Sequence, residues 1–120
     1  MIQAVYFKEK EFRCKCCGIA IMDQDFIGKL DDARRRAGIP FVVMSGYRCI
    51  KHNRACGGVE DSEHTKGMAA DIRCATGMQR YLIATSALAA GFTRIGIGKD
   101  FVHLGTDPVK PSEVMWTYYA

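Results

Sequence analysis

Apolar positions in the first third of the chain recur with a helical period. Phe26, Leu30, Ala33 and Ala37 fall on one stripe, the spacing of a helix that packs one face. Asp23 stands where an N-cap belongs, and Gly38 followed by Pro40 supplies a stop, so a helix running to Ala37 is expected. Phe41 to Ser45 is an apolar, β-rich run between Pro40 and Gly46 and reads as a short buried strand. Met68 to Cys74 predicts another strand. A second helix follows, capped near Thr76 and stopped at Gly91, with Met78, Leu82, Thr85 and Ala89 at helical spacing. Arg94 to Ile97 and Phe101 to Leu104 flank Gly98-Lys99-Asp100, a hairpin signal. The tail, Val114 to Tyr119, is aromatic and extended in character and suits an edge strand.

The order is helix, strand, loop, strand, helix, hairpin, tail. It predicts an α+β fold with a small, mainly antiparallel sheet and two main helices. No repeat, low-complexity tract or linker interrupts the 120 residues, so residues 1–120 are read as one domain. Gly46 to Gly67 is polar and irregular, with Gly57-Gly58 as a turn and at most one helical turn near Lys51 to Ala55. Loops of this length inside a compact domain are usually functional.

Composition narrows the class. Hydrophobic residues make up 48% and charged residues 25%, which excludes disordered and fibrous chains. No apolar run approaches the ~18 residues of a membrane span, so no membrane insertion is expected. Met1 to Lys10 lacks the basic-then-apolar pattern of a secretory signal, which implies synthesis in a reducing cytoplasm where disulfides are rare. The net charge of +4 biases the chain toward anionic partners. Nucleic acid is not among them, because aromatics are not interleaved with the basic residues and Arg34-Arg35-Arg36 reads as a solvated helix face.

The unusual counts are six cysteines against three histidines. Six cysteines suggest a disulfide scaffold or a cysteine-rich zinc module. Cys14, Cys16 and Cys17 crowd together, whereas Cys49, Cys56 and Cys74 are spread out. Neighbouring cysteines point in different directions and seldom both find bridge partners. Reduced thiols are therefore expected, with Cys14, Cys16 and Cys17 plus one of Cys49, Cys56 or Cys74 as the competing metal set, although paired C-x-x-C knuckles are missing. Cys49 follows Arg48, which would favour a thiolate, but no adjacent base can be named. His52 is expected on the loop surface at the cleft mouth.

Three positions carry candidate chemistry. His64 lies near the end of the long loop, Asp71 inside the strand that follows, and His103 in the second hairpin strand. Two imidazoles and a carboxylate suffice for a catalytic zinc that keeps a fourth position for water. Their net charge leaves such an ion able to acidify that water. Asp71 interrupts the apolar run Met68-Ala69-Ala70-Asp71-Ile72, where a carboxylate is costly unless paired or bound to a cation. Each residue taken singly has an ordinary alternative: a turn-capping aspartate, or a satisfied or surface histidine. Asp100 in the turn suits a general base. A regular strand puts it and His103 on opposite faces, so that role requires the turn to fold Asp100 back.

Taken together, Ser45-Gly46-Tyr47-Arg48-Cys49 with Asn53, then Ser62-Glu63-His64-Thr65-Lys66-Gly67-Met68-Ala69-Ala70-Asp71-Ile72, then Phe101-Val102-His103 resemble the peptidase M15 family. That family comprises zinc D-Ala-D-Ala carboxypeptidases, VanX-type dipeptidases and phage L-alanyl-D-glutamate endolysins. The likeness runs from about Phe7 to Tyr118 and is nearest to short single-domain, phage-like members. It implies the Hedgehog/D-Ala-D-Ala peptidase type of fold, one zinc on His64, Asp71 and His103, and Asp100 as general base and acid. It further implies that Arg48 steadies the scissile carbonyl and its tetrahedral intermediate, a task suited to a fixed, permanently charged donor fork, and that Ser62 lines the substrate cleft. The implied partner is the peptidoglycan stem peptide, cut by a monomer acting at the bacterial cell wall. Two positions depart from the pattern. Asp100 stands where many members carry Glu, and Gly105 where many carry an Asp, with Asp107 a candidate replacement. The competing reading is a zinc-stabilised, non-catalytic binding module of the same fold, as the related Hedgehog signalling domain illustrates.

Overall fold

Asp23 sets the first long helix. Its backbone is extended and its carboxylate accepts the Phe26 amide at 3.0 Å, which satisfies one of the free N–H groups of the first turn. The helix, α1, spans Gln24–Ala37 in the computed structural model, which describes residues 2–118. Gly38 ends it in the left-handed conformation (φ 69°). The remaining elements are β1 (Val43–Ser45), α2 (Ile50–Ala55), β2 (Ala69–Arg73), α3 (Gly77–Ala89), β3 (Arg94–Ile97), β4 (Phe101–Gly105) and β5 (Val114–Thr117), with single 3-10 turns at Glu9–Phe12 and Glu63–Lys66. The sheet runs β1-β2-β4-β3-β5; its pairings are antiparallel except the parallel β3–β5 edge. The fold is the α+β arrangement expected from the sequence, with α1 and α3 as its main helices. The tail forms the expected edge strand as far as Thr117; Tyr119 lies outside the described residues. The polar stretch between β1 and β2 holds more order than expected, because α2 and the second 3-10 turn both fall within it.

Strand alternation divides the sheet into two chemically distinct faces. Ala70 and Ile72 of β2, Val102 and Leu104 of β4 and Ile95 of β3 join Phe26, Leu30 and Phe92 in the core. Phe26 and Phe92 meet edge to face, 5.7 Å between centroids, a favourable ring geometry. The intervening residues Asp71 and His103 are left for the opposite face.

The periodicity of α3 was misleading in phase. Met78 is 70% exposed, Thr85 and Ala89 are also exposed, and Leu82 is half-buried. The buried stripe is Ile83, Ser86 and Ala87. The helix packs against α1 and β4, and the face it presents to them is turned one position from the stripe expected from spacing. Ser86 meets the polar cost by donating its hydroxyl to the Ile83 carbonyl (3.1 Å). On α1, Arg35 and Arg36 pair with Asp32 and remain exposed, while Arg34 covers the Tyr6 ring at 4.5 Å. Among the described residues, no helix is long and apolar enough to cross a membrane.

Gly67 joins the 3-10 turn to β2 and anchors both to α1. It has φ 69°, its carbonyl accepts the Asp23 amide at 3.0 Å, and a Cβ there would lie 2.0 Å from the Ile21 carbonyl oxygen. Gly67→Ala is therefore expected to destabilise the fold by at least ~2 kcal/mol. Gly28 lies exposed inside α1, with nothing within 4 Å of an added Cβ. Gly28→Ala should stabilise by roughly 0.5–1 kcal/mol. Urea titration of both variants checks the pair, and equal shifts would refute the argument.

Candidate metal centre

The site begins with the pairing of β2 and β4, whose register sets Asp71 directly opposite His103. His64 reaches the same point from the 3-10 turn Glu63–Lys66. Ser62 caps that turn, its hydroxyl oxygen accepting the His64 amide at 3.2 Å. Asp71 Oδ1 lies 3.0 Å from His103 Nδ1 and 3.4 Å from His64 Nε2. One donor atom from each residue lies within 4.8 Å of the other two, and all three residues are buried. Tetrahedral zinc with bonds near 2.0–2.1 Å would hold its donors about 3.3 Å apart, so this set fits such an ion in spacing and in chemistry.

The outer nitrogen of each imidazole is fixed. His64 Nδ1 lies 2.8 Å from the Gly46 carbonyl oxygen, which can only accept, so Nδ1 carries a proton and Nε2 faces Asp71. His103 Nε2 lies 2.7 Å from Glu63 Oε2, and Nδ1 correspondingly faces Asp71. Tautomers pinned in this way pre-orient metal-binding histidines. Glu63 is itself held by Arg94 Nε (3.1 and 3.2 Å) and by the Asp107 amide (3.1 Å). Burial pushes the Glu63 carboxyl up, but His103, the Asp107 amide and Arg94 together hold it below the usual carboxylate range. Asp71 behaves alike: burial opposes ionisation, and the two histidines overcome it to hold the group well below that range. Burial lowers the His103 pKa, and the two carboxylates raise it by more.

Glu63 also accounts for Gly105. A Cβ at position 105 would lie 2.1 Å from Glu63 Oε2, so the Glu63 carboxylate occupies the space that an aspartate there would enter. The carboxylate partner of His103 thus comes from a different element of the fold. Asp107 is not that replacement; its side chain accepts from Lys66 Nζ at 2.7 Å. The signal was present in the sequence as a missing acid at 105 beside an unassigned acid at 63.

Arg48 enters from the segment after β1. The β1–β2 register shifts between Val43 and Ser45, leaving Ser45 opposite Asp71. Arg48 Nε donates to Ser45 Oγ (3.0 Å), Nη1 to Asn53 Oδ1 (3.4 Å) and Nη2 to Asp71 Oδ2 (3.3 Å). The guanidinium is thereby held beside the three candidate ligands. A cleft of about 500 Å³ opens over them, lined by Arg48, Ser62, Glu63, Arg94, Lys110 and the Gly57–Val59 loop, with Phe101, Trp116 and Tyr118 as an aromatic wall. Trp116 approaches the His103 ring at 5.4 Å and Tyr118 the Phe101 ring at 5.0 Å. Burial pushes the Tyr118 hydroxyl up, against a lowering by Trp116, so it stays protonated at neutral pH. Trp116 and Tyr118 were not singled out from the sequence, although their i, i+2 spacing in an extended tail already puts them on one side.

Asp100 is not brought into this cleft. It lies exposed in the β3–β4 turn, outside the lining residues, and its carbonyl accepts the Cys74 amide at 2.9 Å. The turn is tight, with the Gly98 amide bonded to the Phe101 carbonyl at 2.9 Å, and β4 is in regular register from Phe101 onward. No bulge folds Asp100 back toward His103, so the base role expected from the sequence lacks its required geometry. The acidic residues that do line the cleft are Asp71 and Glu63, both fully engaged.

A search of curated proteins found no match to this chain. The family model described as Peptidase M15 matches residues 5–105, a span that contains Arg48, the three candidate ligands and the carboxylate partner of His103. The chain belongs to the peptidase M15 family.

Proposed function

We propose that the protein is a zinc peptidase that hydrolyses an amide bond in peptidoglycan stem peptides, acting at the bacterial cell wall. The observation that carries this reading is the convergence of His64 Nε2, Asp71 Oδ1 and His103 Nδ1 beside a fixed Arg48, at the floor of an open cleft. Zinc held by these residues supplies Lewis acidity for amide hydrolysis. The chain supplies the remainder. The Gly46 carbonyl and the Glu63 carboxylate hold the outer ring nitrogens, so that His64 Nε2 and His103 Nδ1 are aimed at the ion position. Arg48 directs permanently charged N–H groups at a carbonyl oxygen as charge develops on it. Phe101, Trp116 and Tyr118 wall the reacting bond from water on one side, and the Tyr118 hydroxyl offers a neutral donor. Stem peptides are rich in carboxylates, which suits a chain of net charge +4 with Arg48, Arg94 and Lys110 in its cleft. Ser62 lines the cleft and caps the turn that carries His64.

A second reading, a zinc-stabilised binding module without turnover, draws support from one observation: both cleft carboxylates are committed to other partners. Digestion of purified muropeptides with fragments identified by mass spectrometry separates the two. The peptidase reading expects one cleaved bond, lost with a chelator and in Asp71→Asn. Intact muropeptides in every reaction, with zinc bound, would favour the binding module.

In the same assay Asp100→Asn should retain turnover within about threefold, since loss of a true general base costs roughly 10²–10⁴. A hundredfold drop with bound zinc unchanged would return the base role to Asp100. Glu63→Gln should weaken zinc binding by about 10–100-fold, read by competition with a chromophoric chelator. Unchanged affinity would show that Glu63 does not position His103.

A further inference from the structure

The cysteines, which the His-Asp-His centre does not use, collect at a second point in the fold. Residues 14–19 form a tight loop closed by the Gly18 amide on the Cys14 carbonyl (2.8 Å) and the Cys14 amide on the Ile19 carbonyl (2.7 Å). Cys49, the N-cap of α2, faces this loop, and its thiol lies 3.7 Å from that of Cys14. The thiols of Cys14, Cys17 and Cys49 all lie within 4.8 Å of one another, and Cys16, exposed in the same loop between Cys14 and Cys17, is the free thiol next to them in the chain. Tetrahedral zinc with Zn–S bonds near 2.3 Å sets its sulfurs about 3.8 Å apart. Backbone amides are already aimed at these sulfurs: the Cys49 amide at Cys14 Sγ and the His52 amide at Cys49 Sγ, both at 3.4 Å. Such N–H donors stabilise thiolate over thiol. Lys51, in the first turn of the helix that Cys49 caps, adds a positive charge that offsets part of the negative charge of a thiolate cluster. Cys56 and Cys74 stand apart: Cys56 contacts His52 Nε2 at 3.4 Å, and Cys74 is buried beside Asp100 and Arg80.

We propose that Cys14, Cys16, Cys17 and Cys49 form a second, structural zinc site that clamps the N-terminal segment onto the wall of the cleft. The four thiols release their protons as four Zn–S bonds form, and no electron changes hands. The clamp acts where the cleft needs rigidity. Cys49 directly follows Arg48, and the Tyr47 amide bonds the Phe12 carbonyl at 2.9 Å, so the loop, the Gly46 carbonyl that orients His64 and the Arg48 backbone are tied into one unit. The sequence held the cysteine trio but not its fourth member, since Cys49 is brought in only by the packing of the Gly46–Cys49 segment on Phe12.

The test is zinc stoichiometry and cobalt spectroscopy on the full chain purified under reductant. Wild type should carry about two zinc per chain and Cys14→Ser/Cys17→Ser about one. The pair His64→Ala/Asp71→Asn should also keep about one, held by sulfur. Cobalt-substituted wild type and the His64/Asp71 variant should show an intense near-ultraviolet sulfur-to-cobalt band that Cys17→Ser weakens. Cys17 is exposed, so that variant spares the core, and the wild-type spectrum needs no variant. A single zinc abolished by His64→Ala/Asp71→Asn, absence of the sulfur-to-cobalt band, or a Cys14–Cys49 disulfide that persists in reductant would each overturn the proposal. None of these readouts depends on peptidase activity.

Discussion

A carboxylate buried in an apolar strand must be compensated, and in this protein the compensation of Asp71 organises the site. Its neighbours Ala70 and Ile72 belong to the core, so β2 cannot rotate Asp71 out to solvent without exposing them. The group stays ionised inside because two imidazoles and a guanidinium converge on it. Each partner is delivered by a different structural device. His103 comes through strand register, His64 through a capped 3-10 turn, and Arg48 through the irregular register between β1 and β2. Three positively polarised groups around one carboxylate make a rigid cluster, and the donor atoms turned toward one another suit a divalent cation.

The surrounding interactions fix His103 from a second element of the fold. His103 needs an anionic acceptor on its outer nitrogen if the inner one is to stay available as a ligand. Glu63 meets that need from the turn next to His64, and Gly105 leaves room for it. Arg94 and the Asp107 amide then hold Glu63. The edge strand β5 completes this face by laying Trp116 against the His103 ring and Arg94. A tail that looked peripheral therefore forms one wall of the cleft.

Much of this was legible in the residues. Helix α1 could be read because cap, apolar stripe and glycine stop agree; the hairpin could be read from Gly98-Lys99-Asp100. The three candidate ligands could be named because the motifs that carry them stand in the order of the peptidase M15 family; spacing alone left each of them an ordinary alternative. The phase of α3 was not legible, since apolar residues fall on more than one of its faces and packing against α1 and β4 chose Ile83, Ser86 and Ala87. Nor was the position of Asp100, because a tight two-residue turn and a turn that folds back on its strand place the same residues between the same strands.

The sequence by itself determined the local outcomes: where helices start and stop, which residues alternate toward the core, and which side chains bear metal-binding atoms. Those depend on neighbours within a few positions, through capping, backbone propensity and the period of the strand. Only the tertiary structure decided the partnerships that span tens of residues: Glu63 with His103, Arg48 with Asp71, Cys14 with Cys49. Each rests on a contact distance of a few ångströms, which strand register and segment packing set and which spacing along the chain does not encode.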